Sequence, residues 1–349
     1  MDWSIAAILT QDGITSGAVY ALLALALVLV FSVTRVIFIA QGEFVAYAAL
    51  TLASVQGGQF PHSAVLLAGL GAAAFAQQAL QWRRRTAPAS RRAVVIALLK
   101  FIVLPLGLLV LSHSLPLADL PLVLQVALTL ALVVPAAPLL YRLAFAPLAE
   151  ASSLVLLIVS VGVHFALLGS GLLMFGAEGA RTRAFSDARI NFGVLQISGQ
   201  SLVIVLVSAV LVVALYLYFE ATLPGKALRA TAINRRGAQL VGIGTTGAGR
   251  LAFTLAGTLG ALCGILIAPV TTIYYDSGFL IGLKGFVGAI IGALASYPLA
   301  AAGALLVGLL EAFASFWASA YKEVIVFTLI IPVLLWRSLV HPATDEGEQ

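Results

Sequence analysis

Residues 201–219 read SLVIVLVSAVLVVALYLYF, a run without a single charged side chain. A helix needs about 20 apolar residues to cross a bilayer, whereas a strand of a membrane barrel needs only about 10 alternating ones. The rest of the chain is similar, since 62% of its 349 residues are hydrophobic and only 9% are charged. Soluble proteins carry about 25% charged residues. The sequence therefore predicts an all-α polytopic membrane protein.

Apolar runs of this kind recur from one end of the chain to the other. Nine have spanning length, at about 14–36, 61–82, 93–113, 119–141, 153–175, 200–219, 250–275, 299–318 and 323–340. Two shorter or Gly-rich runs, 42–57 and 279–297, are typical of short crossings, broken helices or re-entrant segments. We expect nine to eleven transmembrane or re-entrant helices in a single domain covering 1–349.

The basic residues predict the orientation of these helices. If both short runs cross, one face collects Arg83, Arg84, Arg85, Arg91, Arg92, Arg142, Lys226, Arg229, Arg235, Arg236, Arg250 and Arg337. Such a face is normally cytoplasmic, so the tail 344–349 is expected inside and the N-terminus outside. The net charge of +5 has the same explanation, and no nucleic-acid partner is expected. The predicted outer loop 176–199 holds three arginines, which weakens this prediction without overturning it.

Several kinds of chemistry find no support in the sequence. The single cysteine, Cys263, excludes a disulfide within the chain. The sequence has no His, Cys, Asp and Glu cluster with metal-ligand spacing, no phosphate-binding loop and no Ser/His/Asp set. We therefore expect neither an enzyme nor a cofactor in this chain. The N-terminus lacks a basic region before its first apolar residues, so a cleaved secretory signal is not expected.

One polar segment separates two of the longest apolar runs. Residues 222–243 read TLPGKALRATAINRRGAQLVGI and contain four basic residues and no acid. This length and polarity predict a short helix outside the bilayer, on the cytoplasmic side. We expect such a helix to contact a cytoplasmic partner, although ordinary basic residues next to a membrane give the same pattern.

A few ionisable residues lie within the apolar runs, where a charge is costly and usually faces a cavity or a partner. Glu43 opens the first short run and is compatible with a place at the membrane interface. Lys100 is expected to extend towards the cytoplasmic loop. Lys284 and Glu311 form an ion pair in one interpretation, with either a structural or a functional role. His164 is expected to be a packed, hydrogen-bonded residue.

Glycines are spaced for close helix contact in two of the runs. The two series are Gly257, Gly260 and Gly264, and Gly282, Gly285, Gly288 and Gly292. Helix packing through small residues explains this spacing, and a flexible or broken helix beside a transport pathway is the alternative.

Three stretches together resemble the H-type membrane permease of the branched-chain amino acid ABC importers. They are GITSGAVYALLALA (13–26) with FIAQGEF (38–44), GKALRA (225–230) with AQLVGI (238–243), and GLKGF (282–286) continuing through Gly292 to Gly303 and Glu311. The resemblance covers about 14–57 and 119–340. Residues 58–118 depart from the family and predict an extra helical hairpin of unknown role.

The resemblance implies a fold like that of type II ABC importer permeases, in the inner membrane of a bacterium. Its implied partners are a second, M-type permease, two ATPase subunits that bind ATP and magnesium, and a periplasmic solute-binding protein. Region 222–243 would be the coupling helix, with docking residues Gly225, Lys226, Ala227, Arg229 and Ala230. The implied pathway residues are Tyr20, Gln41, Gly42, Glu43, Lys284 and Glu311.

The expected function is inward movement of branched-chain amino acids or a related small amphiphilic solute. The sequence does not choose among such solutes. The alternative is a self-sufficient secondary transporter of a small organic solute, which would need converging intramembrane ionisable groups and inverted repeats. A membrane-embedded enzyme is a weaker alternative because no reactive constellation is visible. An assembly subunit is also weaker, because the long helices of small residues are typical of a pore.

Overall fold

We analysed a computed structural model of the chain, which describes residues 3–84, 90–192 and 195–340. Three sequence expectations fall outside this part: the positions of Arg85, of the Arg337 side chain and of the tail 344–349. The described part is helical through all of its membrane-spanning regions.

The helices follow the apolar runs closely. They are α1 Trp3–Thr34, α2 Glu43–Gln56, α3 Ser63–Arg83, α4 Arg91–Leu98, α5 Leu104–Ser114, α6 Leu122–Val133, α7 Ala136–Leu140, α8 Ser153–Phe175, α9 Gly199–Ala221, α10 Leu223–Ile233, α11 Arg235–Leu240, α12 Thr245–Ile267, α13 Ser277–Ile291, α14 Tyr297–Trp317, α15 Lys322–Thr328 and α16 Ile330–Val340. In the described residues, nine helical stretches are long and apolar enough to cross a membrane. The shorter α2 and α13 have 14 and 15 residues and correspond to the two short runs. The predicted all-α membrane fold is confirmed.

Two of the spans contain a π-helical turn. Residues Leu99–Val103 join α4 to α5, and Tyr141–Phe145 follow α7. Pro105 and Pro147 come shortly after these turns, and a proline cannot donate the usual helical hydrogen bond four residues back. The wider turn accommodates the missing bond and changes the direction of the side chains it carries.

Contacts between loops show which helix ends share a face. At one face, the backbone N–H of Arg183 donates to Gln56 Oε1 at 2.8 Å, and Ala180 pairs with Ile273. At the other face, Arg235 donates to the Ala149 carbonyl at 2.9 Å. The end of α2, the loop after α8 and the start of α13 therefore share one face, and the starts of α8 and α11 share the other.

The loop 176–199 contains a β-hairpin that the sequence analysis did not predict. Arg189–Phe192 and Leu195–Ser198 pair as antiparallel strands β1 and β2, in the register Arg189↔Ser198. Ile190 and Ile197 face each other in this ladder, and paired β-branched residues favour a hairpin. The ribbon lies beyond the ends of α8 and α9, so the helical architecture of the membrane part is unchanged.

Helix α1 lies at the centre of the fold. It begins at Trp3, well before the expected position 14. The polar residues Gln11 and Asp12 are part of the helix and do not mark its start. Gly13 and Gly17 press against α14, where a Cβ on Gly13 would lie 2.8 Å from the Cα of Leu309. Small residues thus allow two backbones to meet, as the glycine spacing suggested for helix packing.

Candidate functional site

A buried charge cluster joins four helices. Lys284 Nζ on α13 lies 2.5 Å from Glu311 Oε1 on α14 and 3.2 Å from Glu323 Oε1 on α15. The hydroxyl of Tyr20 on α1 donates to Glu311 Oε2 at 2.6 Å. The Lys284–Glu311 pair that the sequence left open is therefore present in the structure. It brings three of the predicted pathway residues together.

The charges of this cluster are unevenly compensated. The Lys284 and Glu311 side chains are 7% and 15% exposed, so their attraction is little screened by water. The Tyr20 ring centroid lies 5.8 Å from Lys284 Nζ and adds a cation–π contact. Glu323 Oε2 is buried without a hydrogen-bond partner in the described residues. Sequence reasoning missed Glu323 because an acid at the start of a span resembles an ordinary interfacial residue.

A second buried acid lies near the start of α2. Glu43 is 0% exposed, so its carboxyl group is enclosed by protein and does not face solvent. Its Oε1 is 3.0 Å from Nδ1 of His164 on α8, but neither group satisfies hydrogen-bond geometry with a described residue. The His164 ring packs against Phe279 at 4.7 Å between centroids. His164 is thus packed as expected, and its nearest polar partner is the buried carboxyl group.

The backbone beside Glu43 touches α13 directly. A short 3₁₀ turn, Ile39–Gln41, precedes α2, and Gly42 follows it. A Cβ on Gly42 would lie 2.0 Å from the carbonyl oxygen of Gly278, and a Cβ on Gly282 would lie 2.8 Å from the Cα of Gly42. Only glycine permits this approach. The interrupted chain is therefore held against α13 by its backbone.

An apolar cavity of about 240 Å³ lies next to this contact. Its lining includes Phe38, Leu157, Phe279 and Leu283, and among the lining residues Gln41 carries the polar side chain. Gln41 Nε2 donates to the Ala256 carbonyl at 2.8 Å. Gln41 Oε1 is buried and has no hydrogen-bond partner in the described residues. The lining is therefore apolar apart from Gln41, whose Oε1 is enclosed by protein atoms.

The predicted pathway residues form two groups. Gln41, Gly42 and Glu43 lie beside one part of α13, and Tyr20 and Glu311 meet Lys284 on the same helix. Helix α13 borders both groups. Within the described residues, no three His, Cys, Asp or Glu side chains are placed as metal ligands would be.

The polar segment 222–243 forms two helices instead of the single one expected. Asn234 interrupts the helix with an extended backbone, φ −147° and ψ 100°, and its Oδ1 accepts from the Gly237 N–H at 2.8 Å. Thr222 begins α10 in the same way, accepting from the Gly225 N–H at 3.1 Å. Each capping side chain satisfies a donor at a helix start, which is why the break occurs at Asn234.

The five predicted docking residues differ in their accessibility. Lys226 is exposed, Ala227 and Ala230 are half-buried, and Arg229 is exposed and pairs with Glu220 on α9. Gly225 is buried, and a Cβ there would lie 2.1 Å from the Tyr218 carbonyl oxygen. Gly225 therefore does not present itself to a partner. It lets α10 fold back on the end of α9.

Four apolar side chains in or directly after these two helices are exposed, which the sequence analysis did not predict. Leu223, Ile233, Leu240 and Val241 are between 76% and 89% exposed. Exposed apolar side chains of this kind are candidates for a contact with another protein. In the sequence these apolar residues alternate with the basic residues of the segment, but the prediction of a cytoplasmic helix relied on the basic residues.

Comparison with known proteins identifies the family. The family model described as "Branched-chain amino acid transport system / permease component" matches residues 9–334. The chain belongs to this family. It is 30% identical to the high-affinity branched-chain amino acid transport system permease protein BraD of Pseudomonas aeruginosa over 203 residues, 56% of this chain and 66% of BraD. It is 29% identical to LivH of Escherichia coli K12 over 201 residues, 56% of this chain and 65% of LivH.

The chain thus spans just under two thirds of the length of these relatives. No solved structure matches it. The apolar helices and the relationship to these bacterial permeases make the chain a multi-pass protein of the bacterial inner membrane. Helices α3 to α5 occupy the region 58–118, and the expectation that they are an addition to the family pattern stays a prediction.

Proposed function

We propose that this chain is the H-type permease subunit of an ABC importer for branched-chain amino acids or a related small amphiphilic solute. This proposal rests on one observation. Helices α10 and α11 expose basic and apolar side chains on the predicted cytoplasmic face, in a member of a permease family. The chain moves its solute without changing it chemically and is not an enzyme. ATP and magnesium bind to two separate ATPase subunits, and this chain holds no cofactor.

The coupling step follows from how α10 and α11 are attached to the spans. Thr222 donates to the Tyr218 carbonyl at 2.7 Å and caps α10, so the last turn of α9 and the first of α10 form one rigid corner. Arg235 at the start of α11 donates to the Ala149 carbonyl, just before α8. A displacement of α10–α11 by an ATPase therefore moves the inner ends of α8 and α9 together.

The docking contact is both apolar and electrostatic. Ile233 and Leu240 would enter an apolar groove on the ATPase, since burying each removes a large exposed side chain from water. Lys226 and Arg229 would meet acidic residues at the rim of that groove, where charges mainly set the orientation of the partners. Ala227 and Ala230, which are small and half-buried, allow the ATPase to approach the helix backbone.

The cavity beside Gln41 is the proposed solute position along the pathway. Its apolar walls suit the aliphatic side chain of a branched-chain amino acid. Its volume of about 240 Å³ is close to the lower end of the range of small-molecule sites, about 300 Å³. The second, M-type permease closes the open side of the cavity, and a periplasmic binding protein delivers the solute from outside.

The alternative, a self-sufficient secondary transporter, has less support. The family is one of permease components of a transport system, and a component works with partners. The buried Lys284–Glu311 and Glu43–His164 groups are compatible with ion coupling, but they occupy different places along α13 and do not converge on one site.

Affinity purification of the tagged chain from its native membrane tests the proposal. Recovery of two ATPases and a second permease, identified by mass spectrometry, is the expected result. Recovery of the chain alone, together with uptake by the chain reconstituted without partners, would contradict it. A variant of α10 that folds but loses the ATPases then locates the contact.

A further inference from the structure

Two adjoining cavities open between α3, α5, α7 and α12 near the inner ends of these helices. Their volumes are about 470 Å³ and 370 Å³, and both are lined by Arg142, Gly247 and Arg250. Lys100 lines the larger one. We call this combined space, with its three cations Lys100, Arg142 and Arg250, the basic cleft. The proposed transport function makes no use of it.

The three cations of the basic cleft lack anionic partners. Among the described residues, every ion pair within 4.0 Å involves other groups. Arg142 lies over the Phe101 ring at 4.6 Å and donates to Gln78, while its Nε is buried without a hydrogen-bond partner. Lys100 is close enough to Arg142 and Arg250 to be affected by their charges. Such a concentration of like charge is stabilised by a bound anion.

The shape of the basic cleft indicates what kind of anion it holds. The larger cavity is walled by Leu67, Leu104, Leu139 and Leu251. The smaller cavity is more polar than the larger one and includes Gln77 and Gln81 near the inner end of α3. A free phosphate would use only the polar part. A molecule with a charged headgroup and a long apolar chain fills both.

The two π-helical turns place the cations. Lys100 lies in the turn Leu99–Val103, and Arg142 lies in the turn Tyr141–Phe145. Turns of this kind are rare inside α-helices and occur frequently at functional sites. Here each turn directs a cation into the space between two spans. This second observation is independent of the cavities and of the missing anionic partners.

We propose that the basic cleft binds an anionic phospholipid of the inner leaflet. Its phosphate contacts Lys100, Arg142 and Arg250, and one acyl chain lies against the leucines of the larger cavity. Basic pockets between spans on the cytoplasmic side bind anionic lipid headgroups in this way. The proposal also gives the hairpin of α3 to α5 a role, because this hairpin supplies Lys100 and one apolar wall.

Native mass spectrometry of the full-length chain in detergent, titrated with phosphatidylglycerol, tests the proposal. The test variant is Lys100→Gln with Arg250→Gln, since both side chains are exposed and their loss leaves the packing intact. Each cation near an anionic lipid contributes a factor of about 5 in affinity, so the double change should weaken binding about 30-fold. The matched control, Arg91→Gln with Arg92→Gln, removes two exposed cations outside the cleft and should change binding less than about twofold.

Three results would overturn the proposal. They are retention of phosphatidylcholine as strong as that of phosphatidylglycerol, equal losses in the test and control variants, and binding of inorganic phosphate as tight as that of the lipid. The last result would show an anion site without an acyl-chain site. If the double variant does not fold, Lys100→Gln alone should weaken phosphatidylglycerol binding about fivefold, and an unchanged affinity would equally refute the lipid contact.

Discussion

Replacing Lys284 by methionine should destabilise the protein strongly, because it leaves a buried carboxylate without its cation. The Glu311 side chain is only 15% exposed and would keep one neutral hydrogen bond, from Tyr20. Breaking a buried ion pair on one side costs about 3–5 kcal/mol. For a large chain this corresponds to a fall in melting temperature on the order of 10 °C.

The double variant Lys284→Met/Glu311→Gln should recover most of this loss. It removes both charges and retains an oxygen that can accept the Tyr20 hydrogen bond, so only Glu323, whose side chain is 34% exposed, loses its cation. The effect is measured by heating the purified chain in detergent and recording the fraction that remains monodisperse at each temperature. Lys226→Met, which removes an exposed lysine, is the control and should leave the melting temperature unchanged.

An equal loss of stability in the single and double variants would refute the reasoning, since it would mean that the lysine contributes through packing and not through its charge. Uptake by the double variant then distinguishes a role of the cluster in transport from a purely structural role. A stable double variant without uptake would place Lys284 and Glu311 in the transport pathway. A stable double variant with normal uptake would make the cluster a structural connection between α13 and α14.

Three further predictions concern the other sites. Gly42→Ala should cost about 1–3 kcal/mol of stability in the same thermal assay, because its Cβ would lie 2.0 Å from a carbonyl oxygen of α13. Gly69→Ala on α3, where a Cβ meets open space, is its control, and similar losses in both would refute the close contact. Arg229→Glu should reduce recovery of the ATPases on affinity purification at least several-fold, while Arg91→Glu on the same face should not; full recovery with normal uptake would exclude docking by Arg229. Gln41→Leu should lower uptake at unchanged protein abundance, and unchanged uptake would remove Gln41 from the proposed pathway.

The number and order of the spans were predictable because spanning length is a local property of the sequence. About 20 apolar residues in a row indicate a crossing wherever they occur. The helix ends were less predictable. Asp12 lies within α1 instead of preceding it, and Asn234 begins α11 through a capping bond that the composition of the segment does not reveal.

The side-chain groups depended on which helices meet, and that information is not local. Lys284 and Glu311 were recognised as candidates, but Glu323 joins them only because α15 packs beside α13 and α14. Glu43 was open to an interfacial interpretation, since nothing near it in the sequence shows that α8 covers it. The exposed leucines and isoleucine of α10 and α11 could be identified only from the accessible surface of the folded chain.

The contact of Gly42 with Gly278 and Gly282 has a mechanical consequence. No side chain lies between the two backbones there, so a tilt of α13 about this point would not have to displace an interlocked side chain. Ile291, at the other end of α13, is about 20 Å away at 1.5 Å per residue. A rotation of only about 10° would move that end by about 3 Å, roughly the diameter of a water molecule. A tilt of this size would therefore be enough to change the packing of Ile291 against Gly303 of α14.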